Sequence, residues 1–153
     1  MDFEKPSYMQ HALDAASGAM LRGEVPVGCV VVHAPSGRIV GRSGNQTVNR
    51  NDPSGHAELL AMRQAGMALG RWRLTDCDMY VTLEPCTMCA GAISLARIRR
   101  LYYGATDPKG GAVESGVRFF EQETCHHAPE IYPGIDEERS AELLRQFFAK
   151  KRV

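Results

Sequence analysis

The chain has 153 residues, of which 44% are hydrophobic and 24% are charged, values typical of one soluble globular domain. We therefore expect residues 1–153 to form a single domain. Lysine and arginine together number 18, as do aspartate and glutamate, so no net charge attracts nucleic acid or lipid to the whole molecule. The longest apolar run, residues 25–32, is too short to cross a bilayer. We expect no membrane partner, and a cytoplasmic location follows because no signal peptide is recognisable.

The helices and strands predicted from the sequence alternate along the chain. Apolar residues spaced three and four apart predict helices over 7–22, 56–69, 86–96 and 136–150. Short runs rich in β-branched and aromatic residues predict strands over 27–33, 38–41, 79–83, 99–104 and 130–132. Polar residues predict a loop over 44–55, and glycines predict a second loop over 107–116. This order indicates an α/β protein with a mixed sheet and helices on both faces.

The cysteine content directs attention to metal binding or thiol chemistry. An odd number of cysteines in a chain without a recognisable export signal argues against a disulfide framework. The five are Cys29, Cys77, Cys86, Cys89 and Cys125.

Two short motifs carry the strongest chemical signal. They are His56-Ala57-Glu58 and Pro85-Cys86-Thr87-Met88-Cys89. Taken singly, the first could be a structural pair and the second a redox pair. Together they form the pattern of zinc deaminases, His-x-Glu followed by Pro-Cys-x-x-Cys.

The residue types in these motifs suit a catalytic zinc site. Zinc prefers thiolate and imidazole ligands in a tetrahedron, and Cys86, Cys89 and His56 offer three. No second Cys-x-x-Cys and no His-x₃-His supplies a fourth, so one position is left for water, whose pKa zinc lowers from about 15.7 to about 7. Glu58 is then the candidate proton shuttle. Residues two apart diverge on a regular helix, so we place His56 at the very start of its helix, with Pro85 in the first turn of the next one.

Further runs extend this pattern over nearly the whole chain. They are Glu-Val-Pro-Val-Gly at 24–28, the stretch 80–92, and Tyr-Gly-Ala-Thr-Asp at 103–107. With them, the sequence resembles the bacterial tRNA-specific adenosine deaminase (TadA) family. The resemblance implies a cytidine-deaminase-like fold, a three-layer α/β/α arrangement with a mixed five-stranded sheet. It also implies a homodimer that hydrolytically deaminates the wobble adenosine of a tRNA anticodon loop to inosine.

The resemblance assigns roles residue by residue. It places Zn²⁺ and the proton shuttle on the residues already singled out: His56, Cys86, Cys89 and Glu58. It also implies that Asn45 hydrogen-bonds the flipped nucleoside, that Asp107 lies near the ribose of the neighbouring nucleotide, and that Phe148 packs against the anticodon loop. Each has an alternative, because asparagine and Asp-Pro are common in turns and a helix aromatic is usually in the core. His126 and His127 stand where an Asn-His pair is common in the family, which leaves that RNA contact open.

Cationic groups that could contact RNA lie in three clusters. They are Arg71-Trp72-Arg73, Arg97 with Arg99 and Arg100, and the tail Lys150-Lys151-Arg152, which follows Phe147 and Phe148. At zero net charge each cluster could instead be an ordinary solvated surface. The tail combines cations with aromatic rings, which favours an RNA contact.

Two other functions are compatible with these motifs. One is a deaminase of a free base or nucleoside, such as guanine, cytosine or cytidine, which shares the zinc chemistry but needs no basic rim. The other is a non-enzymatic zinc or thiol module, in which Cys86 and Cys89 alternate between dithiol and disulfide. Glu58 distinguishes them, because a redox module has no use for a proton shuttle.

Overall fold

The structure is a computed structural model that describes residues 7–151. Its helices are α1 Tyr8–Leu21, α2 Ala57–Leu69, α3 Thr87–Ala96 and α4 Glu137–Lys151, with a 3₁₀ turn at Phe119–Glu121. Its strands are β1 Gly28–His33, β2 Arg38–Gly44, β3 Cys77–Leu83, β4 Arg100–Ala105 and β5 Glu130–Tyr132. Lys151 is the last residue described, so the part of the predicted cationic tail at Arg152 lies outside the described residues.

The five strands form one mixed sheet in the order β2-β1-β3-β4-β5. Strand β1 runs antiparallel to both β2 and β3, whereas β3, β4 and β5 run parallel. The carboxyl ends of β3 and β4 therefore meet the beginning of β1 and the end of β2 at one edge of the sheet. Gly28, which opens β1, pairs with Gly44 at the end of β2, and its N–H donates to Thr82 Oγ1 near the end of β3 at 3.1 Å.

Helices cover both faces of the sheet. Helices α1 and α4 pack on one face, and α2 and α3 pack on the other. The larger core lies under α2 and α3 and includes Met79, Leu101 and Ile93, all fully buried. This confirms the expected three-layer α/β/α architecture with a mixed five-stranded sheet. Within residues 7–151, no helix is both long and apolar enough to cross a bilayer.

Helix α1 approaches the sheet closely because β1 begins with glycine. A Cβ atom at Gly28 would lie 1.9 Å from the carbonyl oxygen of Ala12, far inside van der Waals contact. Any side chain at position 28 would push α1 away from β1 at the sheet edge where β3 and β4 end.

The start of α3 differs from the sequence prediction. Cys86 is extended, with φ −75° and ψ 175°, and is the N-cap, so Pro85 precedes the helix and does not stand in its first turn. The Pro85 carbonyl accepts the N–H of Ala112 at 2.9 Å. Pro85 is therefore tied to the glycine-rich loop, residues 107–116, which the local sequence pattern could not indicate.

Candidate active site

A cavity of about 320 Å³ opens at the edge of the sheet where β3 and β4 end. Ligands of open α/β sheets commonly bind outside the carboxyl ends of the strands. The residues that line this cavity come from five separate chain regions, 25–27, 45–47, 56–58, 83–86 and 107–110. They include Asn45, His56, Glu58, Glu84, Cys86 and Asp107.

Three metal-binding side chains meet beside this cavity. The Sγ atoms of Cys86 and Cys89 each lie 3.6 Å from Nδ1 of His56, and the three donor atoms all lie within 4.8 Å of one another. With zinc bonds of about 2.3 Å to sulfur and about 2.0 Å to nitrogen, a tetrahedral site separates sulfur from nitrogen by about 3.5 Å. The donor types and their separation therefore fit zinc.

The cluster leaves one tetrahedral position without a protein ligand. Among residues 7–151, no other histidine, cysteine or carboxylate oxygen belongs to it. Structural zinc sites usually have four protein ligands, whereas catalytic sites have three and keep one position for water or substrate. The arrangement is thus of the catalytic type.

The start of α2 brings His56 and Glu58 together. His56 is the N-cap, with φ −79° and ψ 146°, and its side chain makes no capping hydrogen bond, so the ring is available to the two sulfur atoms. Glu58 lies in the first turn and is only 4% exposed. The expectation that His56 stands at the very start of its helix is confirmed.

Burial and close contacts shift the pKa values of these groups. Burial raises the pKa of Glu58 to about 7, although its backbone hydrogen bond and nearby His56 act in the opposite direction. The hydrogen bond between the thiols, together with His56, lowers the pKa of Cys86 to about 4, while the same thiol contact raises the pKa of Cys89. The hydrogen bond with Cys86 also raises the pKa of His56. Cys86 is therefore the thiol of the pair that more readily forms a thiolate, the form that binds zinc.

Asn45 has both a structural contact and a place at the cavity. Its side-chain Oδ1 accepts the N–H of Ala57 at 2.9 Å, which caps the first turn of α2. Within the described chain, its amide NH₂ group makes no hydrogen bond, and the residue lines the cavity. The same side chain can therefore hold the helix that carries His56 and offer a donor to a ligand.

The structure separates the other two predicted substrate residues. Asp107 lines the cavity, and its Oδ1 accepts the N–H groups of Lys109 and Gly110 at 3.2 and 3.0 Å. Phe148 lies on α4, is 46% exposed, and is not among the residues that line the cavity. Its neighbour Phe147 is buried, so the last helix keeps one ring in the core and one at the surface.

Several predicted RNA-binding arginines are engaged by carboxylates. Arg71 binds Asp76 at 2.6 Å, Arg99 binds Asp78 at 2.8 Å, and Arg100 binds Glu130 at 2.8 Å. Their charges are therefore partly neutralised within the chain. These pairs join residues up to 30 positions apart, which charge counting along the sequence does not reveal.

The two adjacent histidines differ from each other. His127 Nε2 lies 2.7 Å from the carbonyl oxygen of Ile98, where it anchors the loop before β5 to the connection between α3 and β4. His126 is exposed. Neither belongs to the metal-binding cluster.

Two carboxylates that the sequence does not single out are buried near the cavity. Glu24 is fully buried and accepts backbone N–H groups from Val48 and Asn49 at 3.1 and 2.8 Å. Glu84, 2% exposed, accepts five hydrogen bonds from the loop that follows β4. One feature of the sequence could have identified both residues: each is an acidic residue one or two positions before a proline, in an otherwise apolar run.

Comparison with known proteins agrees with this site. Residues 4–105 match the cytidine and deoxycytidylate deaminase zinc-binding region. The chain is 61% identical over 150 residues to the tRNA-specific adenosine deaminase of Agrobacterium fabrum, covering 98% of this chain and 97% of that protein. The chain belongs to the tRNA-specific adenosine deaminase family. As a member, it is a deaminase, and its His-Cys-Cys cluster lies within the residues that match the zinc-binding region.

Among solved structures, the chain is more similar to a tRNA-editing deaminase than to a free-base deaminase. A structure from a study of A-to-I editing by tRNA:A34 deaminases at the wobble position shares 61% identity and a TM-score of 0.87, covering 90% of this chain and 98% of that one. A guanine deaminase from Bacillus subtilis shares 28% identity and a TM-score of 0.64, covering 99% and 96%. The tRNA-editing relative is therefore much more similar to this chain than the guanine deaminase is.

Proposed function

We propose that this chain hydrolytically deaminates the wobble adenosine of a tRNA anticodon loop to inosine, with Zn²⁺ held by His56, Cys86 and Cys89. The observation that carries the chemistry is the 3.6 Å separation of His56 Nδ1 from both sulfur atoms, with Glu58 buried beside them. The 61% identity to a tRNA-specific adenosine deaminase supports the choice of substrate.

Zinc bound here would act as a Lewis acid that lowers the pKa of water from 15.7 to about 7. Glu58 handles the protons: its carboxylate accepts one from the attacking water and delivers it to the adenine ring nitrogen. The water oxygen adds to C6 of the base, Glu58 passes the second proton of that water to the amino nitrogen, and the bond from C6 to this nitrogen breaks. Adenosine and water thus become inosine and ammonia.

The size of the cavity supports recognition of one extruded base. Its volume of about 320 Å³ lies at the lower end of ligand pockets, about 300–1,000 Å³. An anticodon loop cannot enter, so the target base must leave its stack while the rest of the RNA stays outside. Asn45 offers its amide donor to that base, Asp107 stands at the rim for the neighbouring nucleotide, and Phe148 is exposed for stacking outside the cavity.

We also propose that two copies associate through the apolar face of α2 and α3. This face bears three exposed side chains, Met67, Trp72 and Leu95, which are 86%, 67% and 70% exposed. They border a groove of about 750 Å³ whose other lining side chains are mainly apolar. Large exposed apolar patches commonly mark interfaces, and a second copy covers such a face by two-fold symmetry.

Light scattering of the purified protein tests the dimer. The wild type is expected at twice the chain mass, and the double variant Met67→Glu with Leu95→Glu is expected at the chain mass, with a far-ultraviolet circular dichroism spectrum like that of the wild type. A monomeric wild type, or a dimer unaffected by both charges, would refute this interface.

We place the reaction in the cytoplasm. All five cysteines are free thiols, and a site that depends on two thiolates needs a reducing compartment. The proposed substrate, tRNA, supports the same location.

An inosine assay on an anticodon stem-loop with adenosine at the wobble position tests the activity. Wild-type protein is expected to form inosine, whereas Glu58→Gln is expected to lose at least about 100-fold in rate and to retain its zinc. Glu138→Gln, at a side chain 90% exposed, is the matched control and is expected to behave as wild type. Ammonia release from free guanine, cytosine, cytidine or adenosine, without inosine in the RNA, would instead identify a free-base or nucleoside deaminase.

A further inference from the structure

The glycine-rich loop, residues 107–116, is organised around a single buried carboxylate. Glu84 follows β3 directly and is 2% exposed. Within residues 7–151, no lysine, arginine or histidine forms an ion pair with it. A buried ionised carboxylate without a cation must be stabilised by hydrogen-bond donors.

Those donors come from both ends of the loop. Glu84 Oε1 accepts the N–H of Asp107 at 2.9 Å and the hydroxyl of Ser115 at 3.0 Å. Glu84 Oε2 accepts the N–H groups of Val113, Glu114 and Ser115 at 3.0, 2.9 and 2.9 Å. Three consecutive backbone N–H groups that converge on one oxygen form an anion-binding nest.

The loop wraps the carboxylate so tightly that one position must be glycine. A Cβ atom at Gly111 would lie 2.4 Å from Cδ of Glu84 and 2.6 Å from the carbonyl oxygen of Asp107. The loop conformation and the position of the carboxylate therefore depend on each other.

The same loop carries the rim of the active-site cavity. Asp107 and Gly110 both line that cavity, and the Asp107 carboxylate is oriented by the N–H groups of Lys109 and Gly110. Because Glu84 binds the backbone of Asp107 itself, a change at Glu84 would move the Asp107 side chain relative to the substrate.

We propose that Glu84 is a positioning residue of the deaminase: it holds the glycine-rich loop so that Asp107 meets the nucleotide next to the target adenosine. This role rests on the proposed function. Glu84 acts through Asp107, and it takes no part in the proton transfers assigned to Glu58.

Replacement of Glu84 by glutamine tests the role without a change in side-chain volume. A carboxylate accepts hydrogen bonds at both oxygens, whereas the glutamine NH₂ group accepts none. Since Oε1 receives two donors and Oε2 receives three, Glu84→Gln leaves at least two loop donors unpaired in either amide orientation. The chemistry at the zinc ligands is untouched.

A double-mutant cycle distinguishes positioning from general destabilisation. For inosine formation in the stem-loop, we expect Glu84→Gln to raise KM about tenfold, about the effect of one lost hydrogen bond, with kcat and zinc content little changed. In an Asp107→Ala background the same change should alter kcat/KM less than about twofold, because residues acting in one unit are not additive. Effects that multiply fully would overturn the proposal.

Two further variants distinguish a displaced loop from a general loss of stability. Gly111→Ala displaces the loop while Glu84 stays intact, and it should raise KM and lose its effect in the Asp107→Ala background. Asp78→Asn breaks a partly exposed ion pair with Arg99 at the opposite end of β3, and it should lower the free energy of unfolding while KM stays unchanged. An Asp78→Asn variant whose KM rises as in Glu84→Gln would show that destabilisation alone is responsible.

The two proposals fail in different ways. Wild-type protein that forms no inosine in RNA refutes the proposed function. Active wild-type protein with a Glu84→Gln variant of unchanged KM refutes only the positioning role.

Discussion

The Nδ1 atom of His56 lies 3.6 Å from the Sγ atom of Cys86, although thirty residues separate them in the sequence. Each residue is the N-cap of its helix, each has extended backbone angles, and neither side chain caps its own helix. The beginnings of α2 and α3 therefore face each other, and both helix dipoles direct their positive ends toward the metal-binding atoms. That field favours the thiolate form of Cys86, the thiol whose pKa is lowered.

Removal of one thiol should release the metal. We expect Cys86→Ser to contain less than about one tenth of the wild-type zinc and to lose deamination, because a hydroxyl is a far poorer zinc ligand than a thiolate. Cys125→Ala is the matched control: its thiol contacts Ser94 and the His127 carbonyl, away from the cluster. Metal analysis by mass spectrometry checks both variants, and a Cys86→Ser protein with full zinc would contradict the ligand assignment.

The His56, Cys86 and Cys89 cluster was predictable from the sequence because its signals are local. Proline before Cys86 and the apolar spacing after His56 mark the starts of two helices, and the alternation of elements brings those starts to one sheet edge. The ends of the strands differed by up to three residues from the prediction: β2 continues to Gly44, three residues beyond its predicted end, and β3 begins two residues early at Cys77.

Contacts between distant residues were not predictable. Nothing near Glu84 in the sequence indicates that the N–H groups of 113–115 surround it, and nothing near Arg99 indicates its pairing with Asp78. Such contacts depend on how the loops fold in three dimensions. They leave no signal in the hydrophobic pattern of the sequence.

Asn45→Asp should separate the two roles of Asn45. The aspartate keeps an oxygen acceptor for the N–H of Ala57, so α2 stays capped and the melting temperature should change little. It loses the NH₂ donor, and we expect kcat/KM for the stem-loop to fall at least about tenfold. An Asn45→Asp enzyme with wild-type kcat/KM would show that Asn45 serves only the backbone.

Glu24 should make the fold sensitive to acid. Burial alone would raise the pKa of Glu24, but hydrogen bonds from Asn49, Val48 and Thr47 outweigh it and hold the pKa below its usual range. A pKa that is lower in the folded than in the unfolded chain stabilises the fold above the unfolded value, about 4.3. That contribution is lost as the pH falls from there through the folded pKa.

Urea unfolding at several pH values measures this effect. Glu24→Gln should lower the free energy of unfolding by about 1–3 kcal/mol at pH 7, and its difference from the wild type should shrink below about pH 4. Glu138→Gln, at an exposed position, should match the wild type throughout. A difference for Glu24→Gln that is constant over this range would contradict the assigned carboxylate role.

Binding of the stem-loop should weaken as salt rises, and the salt slope should depend on which cations are free of internal pairing. Lys150 is exposed on α4, and Lys150→Ala should reduce the slope by about 0.7 if it contacts one phosphate of a single strand. Arg100→Ala, at a cation already paired with Glu130, is the control and should leave the slope unchanged. A flat salt response of the wild type would argue against RNA as substrate.

Phe148 should contribute to RNA affinity through stacking. We expect Phe148→Ala to weaken stem-loop binding by about 1–3 kcal/mol, with little change in the free energy of unfolding because the ring is 46% exposed. Fluorescence anisotropy with a labelled stem-loop measures the affinity. Unchanged binding would assign Phe148 to the solvated surface.

X-ray absorption at the zinc edge of the purified protein tests the central claim most directly. The account predicts one zinc per chain with two sulfur neighbours at about 2.3 Å, one imidazole nitrogen at about 2.0 Å and one light atom from solvent. Protein that is metal-free, or a zinc ion surrounded by four protein ligands, would contradict it.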